Sequence, residues 1–226
     1  MTTTDSVDSA TGARKAKLTL SQAFAEFVRH PSPWMIASVL VGALVARVWI
    51  GNWALSDLIA PLVYLALFPV MEWVIHVFVL HWRPRQLGRW TIDTLLARKH
   101  REHHIAPRDV PLVFIPWQAL IGIIAANVVL PLWLFPTTGQ ALTFLMTTGV
   151  MGLTYEWIHY LVHTDYKPRT PAYRAVYQHH RLHHFKNENY WMTVTTANTA
   201  DRWFGTMPDP AAVPTSPTAK NLHGLA

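Results

Sequence analysis

Four long apolar segments constrain the fold of this chain more than any other feature of its sequence. They run over about residues 34–50, 58–80, 112–134 and 141–162, and a helix needs about 20 residues to cross a bilayer. Short connections at 51–57 and 135–140 join them into two helical hairpins. The pattern predicts an all-α, multi-pass membrane protein with four transmembrane helices and a cytoplasmic helical cap. A soluble bundle of buried helices is the alternative.

Positive charge is distributed unevenly around these segments. Of the 19 lysine and arginine residues, 18 lie in the N-terminal, middle and C-terminal segments, and neither short connection has one. Basic flanks stay on the cytoplasmic side of a membrane, so both termini and the middle segment are predicted to be cytoplasmic. The exception, Arg47, is expected to extend its guanidinium from the helix end to the interface. The net charge of +6 therefore belongs to the membrane flanks, and no nucleic-acid partner is expected.

The domain organisation follows from the same segments. Residues 1–17 are polar and rich in small side chains, and they are predicted to be a disordered tail. Residues 18–210 are predicted to form one integral-membrane domain, followed by a C-terminal tail over 211–226. The chain has no cysteine, which excludes disulfides, Cys-ligated zinc, iron–sulfur clusters and thiolate catalysis.

The 13 histidines are the main chemical anomaly. Ten of them form four groups, each at a predicted cytoplasmic helix end or in a cytoplasmic segment, so the topology brings all four groups to one membrane face. Ionisable groups near membrane segments are costly unless they have a function, which favours metal binding over packing. The groups are His76 and His81; His100, His103 and His104; His159 and His163; and His180, His183 and His184.

The spacing within the groups supports shared ligation. Residues at i, i+3 and i+4 lie on one side of a helix, and both triplets and the third group have such spacing. His76 and His81 are five residues apart, so an unbroken α-helix would separate their directions by about 140°. Both can bind a metal only if the helix ends or distorts between them, or if they serve different ions.

Ten imidazoles exceed the roughly four to six ligands of one metal ion, so they predict two ions, for which iron, zinc, copper and nickel are all suitable. Further residues are expected to lie behind the ligands, where a carboxylate can accept the proton of a ligand's second ring nitrogen. These residues are Glu72, Asp93, Glu102, Glu156, Asp201 and His179. No catalytic residue beyond the metal ligands is expected, and His30 and His223 are not predicted ligands.

Three other kinds of metal protein fit parts of the pattern. A membrane haem carrier with bis-His ligation would need only four histidines in facing pairs. A metal transporter places its ligands near the bilayer midplane, whereas these histidines lie at one edge. A zinc hydrolase would need a nucleophile, and no obvious one accompanies the imidazoles.

The histidine series HX4H, HXXHH, HX3H, HXXHH resembles that of the fatty acid hydroxylase superfamily, in particular the fatty acid (sphingolipid) 2-hydroxylases. The neighbouring sequence is similar as well: HHIAPRDVPLVFIP from His103, YEWIHYLVHTDY from Tyr155, and HHRLHHFKNENY followed by WFGTMPDP. The similarity covers about residues 72–210. Carotenoid hydroxylases have a related series, in which a longer third spacing is expected.

The resemblance implies a dinuclear iron oxygenase that uses O2 to hydroxylate a C–H bond in a lipid acyl chain, near the carbonyl end. It implies two Fe ions at the ten grouped histidines, with zinc able to replace iron there, and neither haem nor flavin. The eukaryotic relatives often carry a fused cytochrome b5 domain. Here electrons are expected from a separate donor of the cytochrome b5, ferredoxin or reductase type. Desaturation of a sterol or lipid on the same site is the nearest alternative, and product mass distinguishes the two.

Overall fold

The structure is a computed structural model that describes residues 18–191 and 194–225. Helices dominate this part of the chain, and its only sheet is a short two-stranded hairpin. The predicted N-terminal tail, residues 1–17, lies outside the described residues.

The first two helices begin with recognisable capping signals. Helix α1 (Leu20–Phe27) starts after Thr19, whose hydroxyl accepts from the Gln22 N–H while the Gln22 side chain accepts from the Thr19 N–H. This reciprocal pair is a capping box. Helix α2 (Pro31–Ile50) has a proline at its first position, where the fixed φ angle suits the first turn.

The next apolar stretch combines three kinds of helix. A 3-10 turn (Leu55–Leu58) leads into helix α3 (Ile59–Ile75), which continues directly into a π-helical turn (His76–Leu80). Helices α6 (Trp117–Leu134) and α7 (Thr138–Val162) form the second long pair. The Thr137 hydroxyl caps α7 by accepting from the Gln140 N–H.

Three stretches are long and apolar enough to cross a membrane: Pro31–Ile50, Leu55–Leu80 and Val110–Leu134. Apolar side chains on their outer faces are well exposed, as for Val45, Leu62 and Val129. These stretches match the first three predicted spans. The fourth predicted span lies within α7, which carries threonines and other polar residues and is not one of the three, so the prediction of four spans is not confirmed.

Shorter elements occupy the ends of the long helices where the histidine groups lie. They are the hairpin strands β1 (Arg85–Leu87) and β2 (Trp90–Ile92), helices α4 (Leu95–Ile105), α5 (Val110–Val113), α8 (Pro171–Phe185) and α9 (Thr199–Phe204), and a 3-10 turn (Leu222–Gly224). A buried aromatic cluster joins α1 to this end of α7, because the Phe27 ring packs on the rings of Phe114 and Tyr160.

Helices α2 and α7 pack closely at one glycine. A Cβ atom at Gly149 would lie 3.0 Å from the Cβ of Leu40, so a larger residue would require Leu40 to shift. This contact holds two walls of the helical core together.

Arg47, which was expected to extend from the helix end to the membrane interface, has its polar partners inside the fold. Its side chain is fully buried and forms an ion pair with Asp57. It also donates to the Thr143 hydroxyl (3.0 Å) and the Gly51 carbonyl, and it lies over the Trp53 ring. A buried guanidinium needs partners for its donors, and the connection after α2 supplies them inside the fold.

Candidate metal centre

Four separate elements bring the ten grouped histidines together. His76 and His81 come from the π-helical turn and its end, and the first triplet comes from α4. His159 and His163 come from the end of α7, and the last triplet comes from α8. Nine of the ten are buried, and His163 is partly buried. Their role as metal ligands remains a prediction, but their rings form one continuous cluster.

The π-helical turn answers the question raised by the five-residue spacing of His76 and His81. In this turn the His81 N–H donates to the His76 carbonyl at 3.0 Å, which is the i to i+5 pattern of a π-helix. The turn therefore places residues five apart on nearly the same side. The two ring centroids lie 4.7 Å apart, so the helix distorts at the position where shared ligation requires it.

One subgroup of rings brings its Nε2 atoms close together. The Nε2 atoms of His81, His100, His104 and His183 form a closed circuit with neighbouring distances of 3.1, 3.2, 3.0 and 3.3 Å. The nitrogens of His76, His81, His100 and His183 are close enough together to hold one ion. The His76 ring completes this subgroup, with its centroid 4.4 Å from that of His183.

A second subgroup lies beside the first. The His163 Nε2 atom is 3.1 Å from that of His103 and 2.6 Å from that of His180. The His159 ring centroid lies 4.9 Å from that of His163. The nitrogens of His103, His159, His163 and His180 are close enough together to hold one ion.

His184 lies between the two subgroups. Its ring centroid is 4.3 Å from that of His104 in the first subgroup and 4.6 Å from that of His180 in the second. Both of its ring nitrogens are buried without a hydrogen-bond partner among the described residues. An unsatisfied buried imidazole is costly, and a bound metal ion would satisfy it. The donor set therefore fits bound metal.

Backbone carbonyls set the orientation of several rings. The Nδ1–H groups of His104, His159 and His183 donate to the carbonyls of Ala219 (2.8 Å), Val113 (2.9 Å) and Tyr190 (2.9 Å). A proton on Nδ1 leaves the Nε2 lone pair directed at the centre of the cluster, as a metal ligand requires.

Burial keeps the imidazoles neutral. It lowers the pKa of His104 to about 4, although the hydrogen bond to the Ala219 carbonyl favours the charged form. Burial also holds the pKa values of His100, His183 and His184 well below the ordinary value of 6.5. Because only a neutral imidazole can bind a metal ion, all four rings are ready as ligands at neutral pH.

The sequence predicts that carboxylates accept the second ring proton of the ligands. For the three rings whose acceptors are identified above, the structure shows backbone carbonyls instead. Glu72 accepts from the Thr195 hydroxyl at 2.7 Å, and Glu156 from the Ser32 hydroxyl at 2.8 Å. Asp201 accepts from the indole of Trp73 at 3.0 Å. These hydrogen bonds connect the segments around the cluster.

Two other acids and one histidine complete the set of predicted supporting residues. Asp93 pairs with Arg101 at 2.6 Å, and the exposed Glu102 pairs with Lys99. The His179 ring is partly buried and lies outside the groups of nitrogens that could share an ion.

The sequence reasoning missed the segments that supply the carbonyls. Residues 211–226 were expected to be a tail, yet Ala219 and Leu222 are buried and the Ala219 carbonyl contacts His104. The His81 carbonyl also lies 3.1 Å from a ring nitrogen of His223. The segment up to residue 225 therefore packs against the cluster. Backbone acceptors leave no mark on residue type, so no sequence signal could have identified them.

An apolar cavity of about 760 Å³ reaches the histidines from between the long helices. It extends along α6 from Leu120 to Leu134, which is about 21 Å of helix. His76, His100, His159 and His180 belong to its wall. Its volume lies in the range of ligand pockets, and its mostly apolar lining suits a long hydrocarbon chain.

Comparison with known proteins gives a consistent result. The family model described as fatty acid hydroxylase matches residues 61–206. Dihydroceramide fatty acyl 2-hydroxylase FAH2 of Arabidopsis thaliana is 28% identical over 140 residues, which cover 62% of this chain and 56% of that protein. Fatty acid 2-hydroxylase of Mus musculus is 28% identical over 175 residues, covering 76% of this chain and 41% of that protein. The chain therefore spans only about half the length of these relatives.

A solved structure shows a similar fold. It is full-length Scs7p, in which only the hydroxylase domain is visible, and it matches with a TM-score of 0.57 and 20% sequence identity. The match covers 88% of this chain and 70% of that one. At this identity the similarity concerns the fold alone.

Proposed function

This chain belongs to the fatty acid hydroxylase family, and on that premise we propose that it hydroxylates a C–H bond in the acyl chain of a membrane lipid. The relatives are named as hydroxylases of fatty acids and dihydroceramide acyl chains. The observation that carries the proposal is the meeting of the apolar cavity with the histidine cluster. A chain lying in this cavity would bring an inert C–H bond to the one place in the wall that is rich in imidazole.

The placement in a membrane is part of the proposal. Three stretches are long and apolar enough to cross it, and α7 is proposed as the fourth span because it pairs with α6 through a short turn. The distribution of basic residues supports both termini and the metal site on the cytoplasmic side. Residues 18–210, with the packed C-terminal segment, would form one integral-membrane domain.

We assign two iron ions to the cluster. His76, His81, His100, His104 and His183 would hold one ion, and His103, His159, His163, His180 and His184 the other. Bound iron would supply the activation of O2, with electrons from a separate donor of the cytochrome b5, ferredoxin or reductase type. Imidazoles suit this role because they bind iron without adding charge, although the same nitrogens would accept zinc.

The residues of the chain orient the substrate and exclude water. The apolar walls of α3, α6 and α7 would hold the distal part of the acyl chain, because burial of each methylene is worth about 0.8 kcal/mol. The cluster lies at the end of the long helices, where the polar end of a lipid would be found. The reacting carbon is therefore proposed to be close to the carbonyl group of the acyl chain.

Substitution of one histidine tests the proposal. His100→Ala should lose the ion of its subgroup, which lowers the metal content to about one ion per chain, and should lose lipid hydroxylation with it, because its Nε2 atom belongs to the four-nitrogen circuit. Gln178→Ala is the control, since this exposed side chain lies on α8, away from the cluster. Metal analysis and mass spectrometry of lipid products provide the measurements. Full metal content and full activity in His100→Ala would contradict the site.

The two subgroups make a more specific prediction. His81→Ala and His159→Ala should each lower the metal content from two ions per chain to about one, because each affects a different subgroup. The product should gain one oxygen atom; a loss of two hydrogens would indicate desaturation. Unchanged hydroxylated lipids in cells with and without the protein would contradict the substrate class.

A further inference from the structure

The segment between the second apolar stretch and α4 forms a hairpin with two different faces. Strands β1 and β2 are antiparallel, with Arg85 opposite Ile92, Gln86 opposite Thr91 and Leu87 opposite Trp90. Gly88, with φ +59°, begins the two-residue turn between them. This connection suits the twist of a tight hairpin.

Residues directly opposite each other project to the same side, so the register divides the hairpin into two faces. One face carries Leu87, Trp90 and Ile92, which are 65%, 65% and 40% exposed, together with Arg85 opposite Ile92. The other face carries Gln86 and Thr91, whose side chains are hydrogen-bonded to each other at 2.8 Å. A two-stranded hairpin is marginal in water unless its apolar face is covered.

The charge of the hairpin is entirely positive. Residues 82–92 contain Arg83, Arg85 and Arg89 and no acidic side chain. The Arg85 guanidinium lies 5.0 Å from the Trp82 ring centroid, and that of Arg89 lies 5.1 Å from the Trp90 ring centroid. Tryptophan and arginine side by side are typical of segments at the boundary between lipid and water.

The base of the hairpin is fixed to the helix that carries the first histidine triplet. The Trp82 indole donates to the Ile92 carbonyl at 3.1 Å, and Arg101 of α4 donates to the Trp82 carbonyl at 3.3 Å. Arg101 also pairs with Asp93 at 2.6 Å. The hairpin is thus attached to α4, and it begins five residues after the apolar stretch ends at Leu80.

We propose that this hairpin lies on the membrane surface, with Leu87, Trp90 and Ile92 among the lipids and its arginines bound to anionic phospholipid headgroups. Two observations select this occupant: the hairpin directly continues a stretch that can cross the bilayer, and its arginines face no acidic residue within the segment. Leu80 and Leu96, on either side of the hairpin in sequence, line the acyl-chain cavity, so the bound lipids would lie next to it. The proposal rests on the proposed membrane placement of the chain, but not on the proposed hydroxylation reaction.

The absence of cysteine makes a direct test practical. Single cysteines at Leu87 and Gln86 in the full-length chain would carry a fluorophore, in nanodiscs with and without phosphatidylserine. Both positions are exposed, so labelling should not disturb packing. We expect quencher-bearing lipids to quench the Leu87 label and aqueous iodide to quench the Gln86 label. Equal access of iodide to both would overturn the proposal.

A label at Val63 separates this proposal from membrane placement in general. Val63 is exposed on α3 within the apolar stretch, so lipid quenching there reports insertion of the chain. If the Val63 label is not quenched by lipid, the membrane placement fails. If it is quenched while the Leu87 label faces water, only the hairpin proposal fails.

The arginines are tested by energy transfer from the Leu87 label to fluorescent phosphatidylserine or phosphatidylcholine. Arg85→Gln and Arg89→Gln each remove one arginine. Each should lower the preference for phosphatidylserine over phosphatidylcholine, measured by this energy transfer, by about fivefold. An equal preference in all variants would overturn the assignment of anionic headgroups. Protection of the Leu87 label only after addition of an acidic protein would show that the face binds protein instead.

Discussion

At the scale of single residues, charged and polar groups inside the apolar helices have specific partners. Arg47 pairs with Asp57, Glu156 accepts from Ser32 and from the Ile115 N–H, and three of the candidate ligand rings donate to backbone carbonyls. Each arrangement compensates for the cost of removing a polar group from water. Such pairs join segments that are far apart in sequence and hold the cluster in place.

Arg47 allows this cost to be measured. Arg47→Met should lower the free energy of unfolding by about 3–5 kcal/mol, because it leaves Asp57 buried without its partner. Arg29→Met is the matched control, since Arg29 is exposed and pairs only with a neighbouring surface glutamate. Denaturant unfolding in detergent gives both values. Equal stability of the two variants would show that the Arg47 pair does not hold the helices together.

A double variant separates the buried charge from other effects of the substitution. Arg47→Met with Asp57→Asn should recover part of the lost stability, because the unpaired charge is removed as well. If the double variant is as unstable as Arg47→Met, packing of the long side chain rather than charge is responsible.

At the scale of elements, the π-helical turn decides whether two of the histidines can cooperate. The sequence leaves open whether His76 and His81 share an ion, because their spacing does not fit an α-helix. The structure brings them together through one i to i+5 hydrogen bond. By contrast, the triplets on α4 and α8 and the pair on α7 fit ordinary helices, and their spacing alone predicts that each group shares one helix face.

Changes in the length of this turn test its role. Insertion of one alanine after Phe78 places the two histidines six residues apart, about 120° from each other on an α-helix, and should reduce the metal content to about one ion per chain. Deletion of Phe78 leaves a spacing of four, which lies on one face of an α-helix, and should preserve more metal. Metal analysis of the purified variants distinguishes them. The reverse order would contradict this role of the turn.

At the scale of the whole molecule, the cavity connects the long helices to the cluster. Its wall combines residues from α2, α3, α6 and α7, and no single segment predicts it. The length of the cavity is expected to limit the length of the acyl chain, because a chain that does not fit must leave methylenes unburied or distort the walls.

Ile124 provides a test of this limit. It lies on α6 in the cavity wall, and Ile124→Trp should shorten the accepted acyl chain, with a loss of about tenfold or more in kcat/KM for long substrates. Val129→Trp is the control, because Val129 is exposed on α6 and is not part of the wall. Product chain lengths measured by mass spectrometry give the result. The same distribution in both variants would exclude the cavity as the acyl-chain site.

The sequence by itself determined the helical nature of the chain, its apolar stretches and the four histidine groups. Local periodicity encodes these properties: apolar runs predict long helices, and i, i+3, i+4 spacing places side chains on one helix face. The family could be recognised for the same reason, because its histidine spacings and their neighbours are short-range features.

The tertiary structure alone decided which side chains and backbone groups contact one another. Only packing showed that Arg47 is buried, that residues after 210 contact His104, and that carbonyls rather than acids orient three of the rings. Each of these contacts joins residues distant in sequence. A carbonyl group is the same in every residue, so its choice as a partner depends on the position of the backbone and not on residue type.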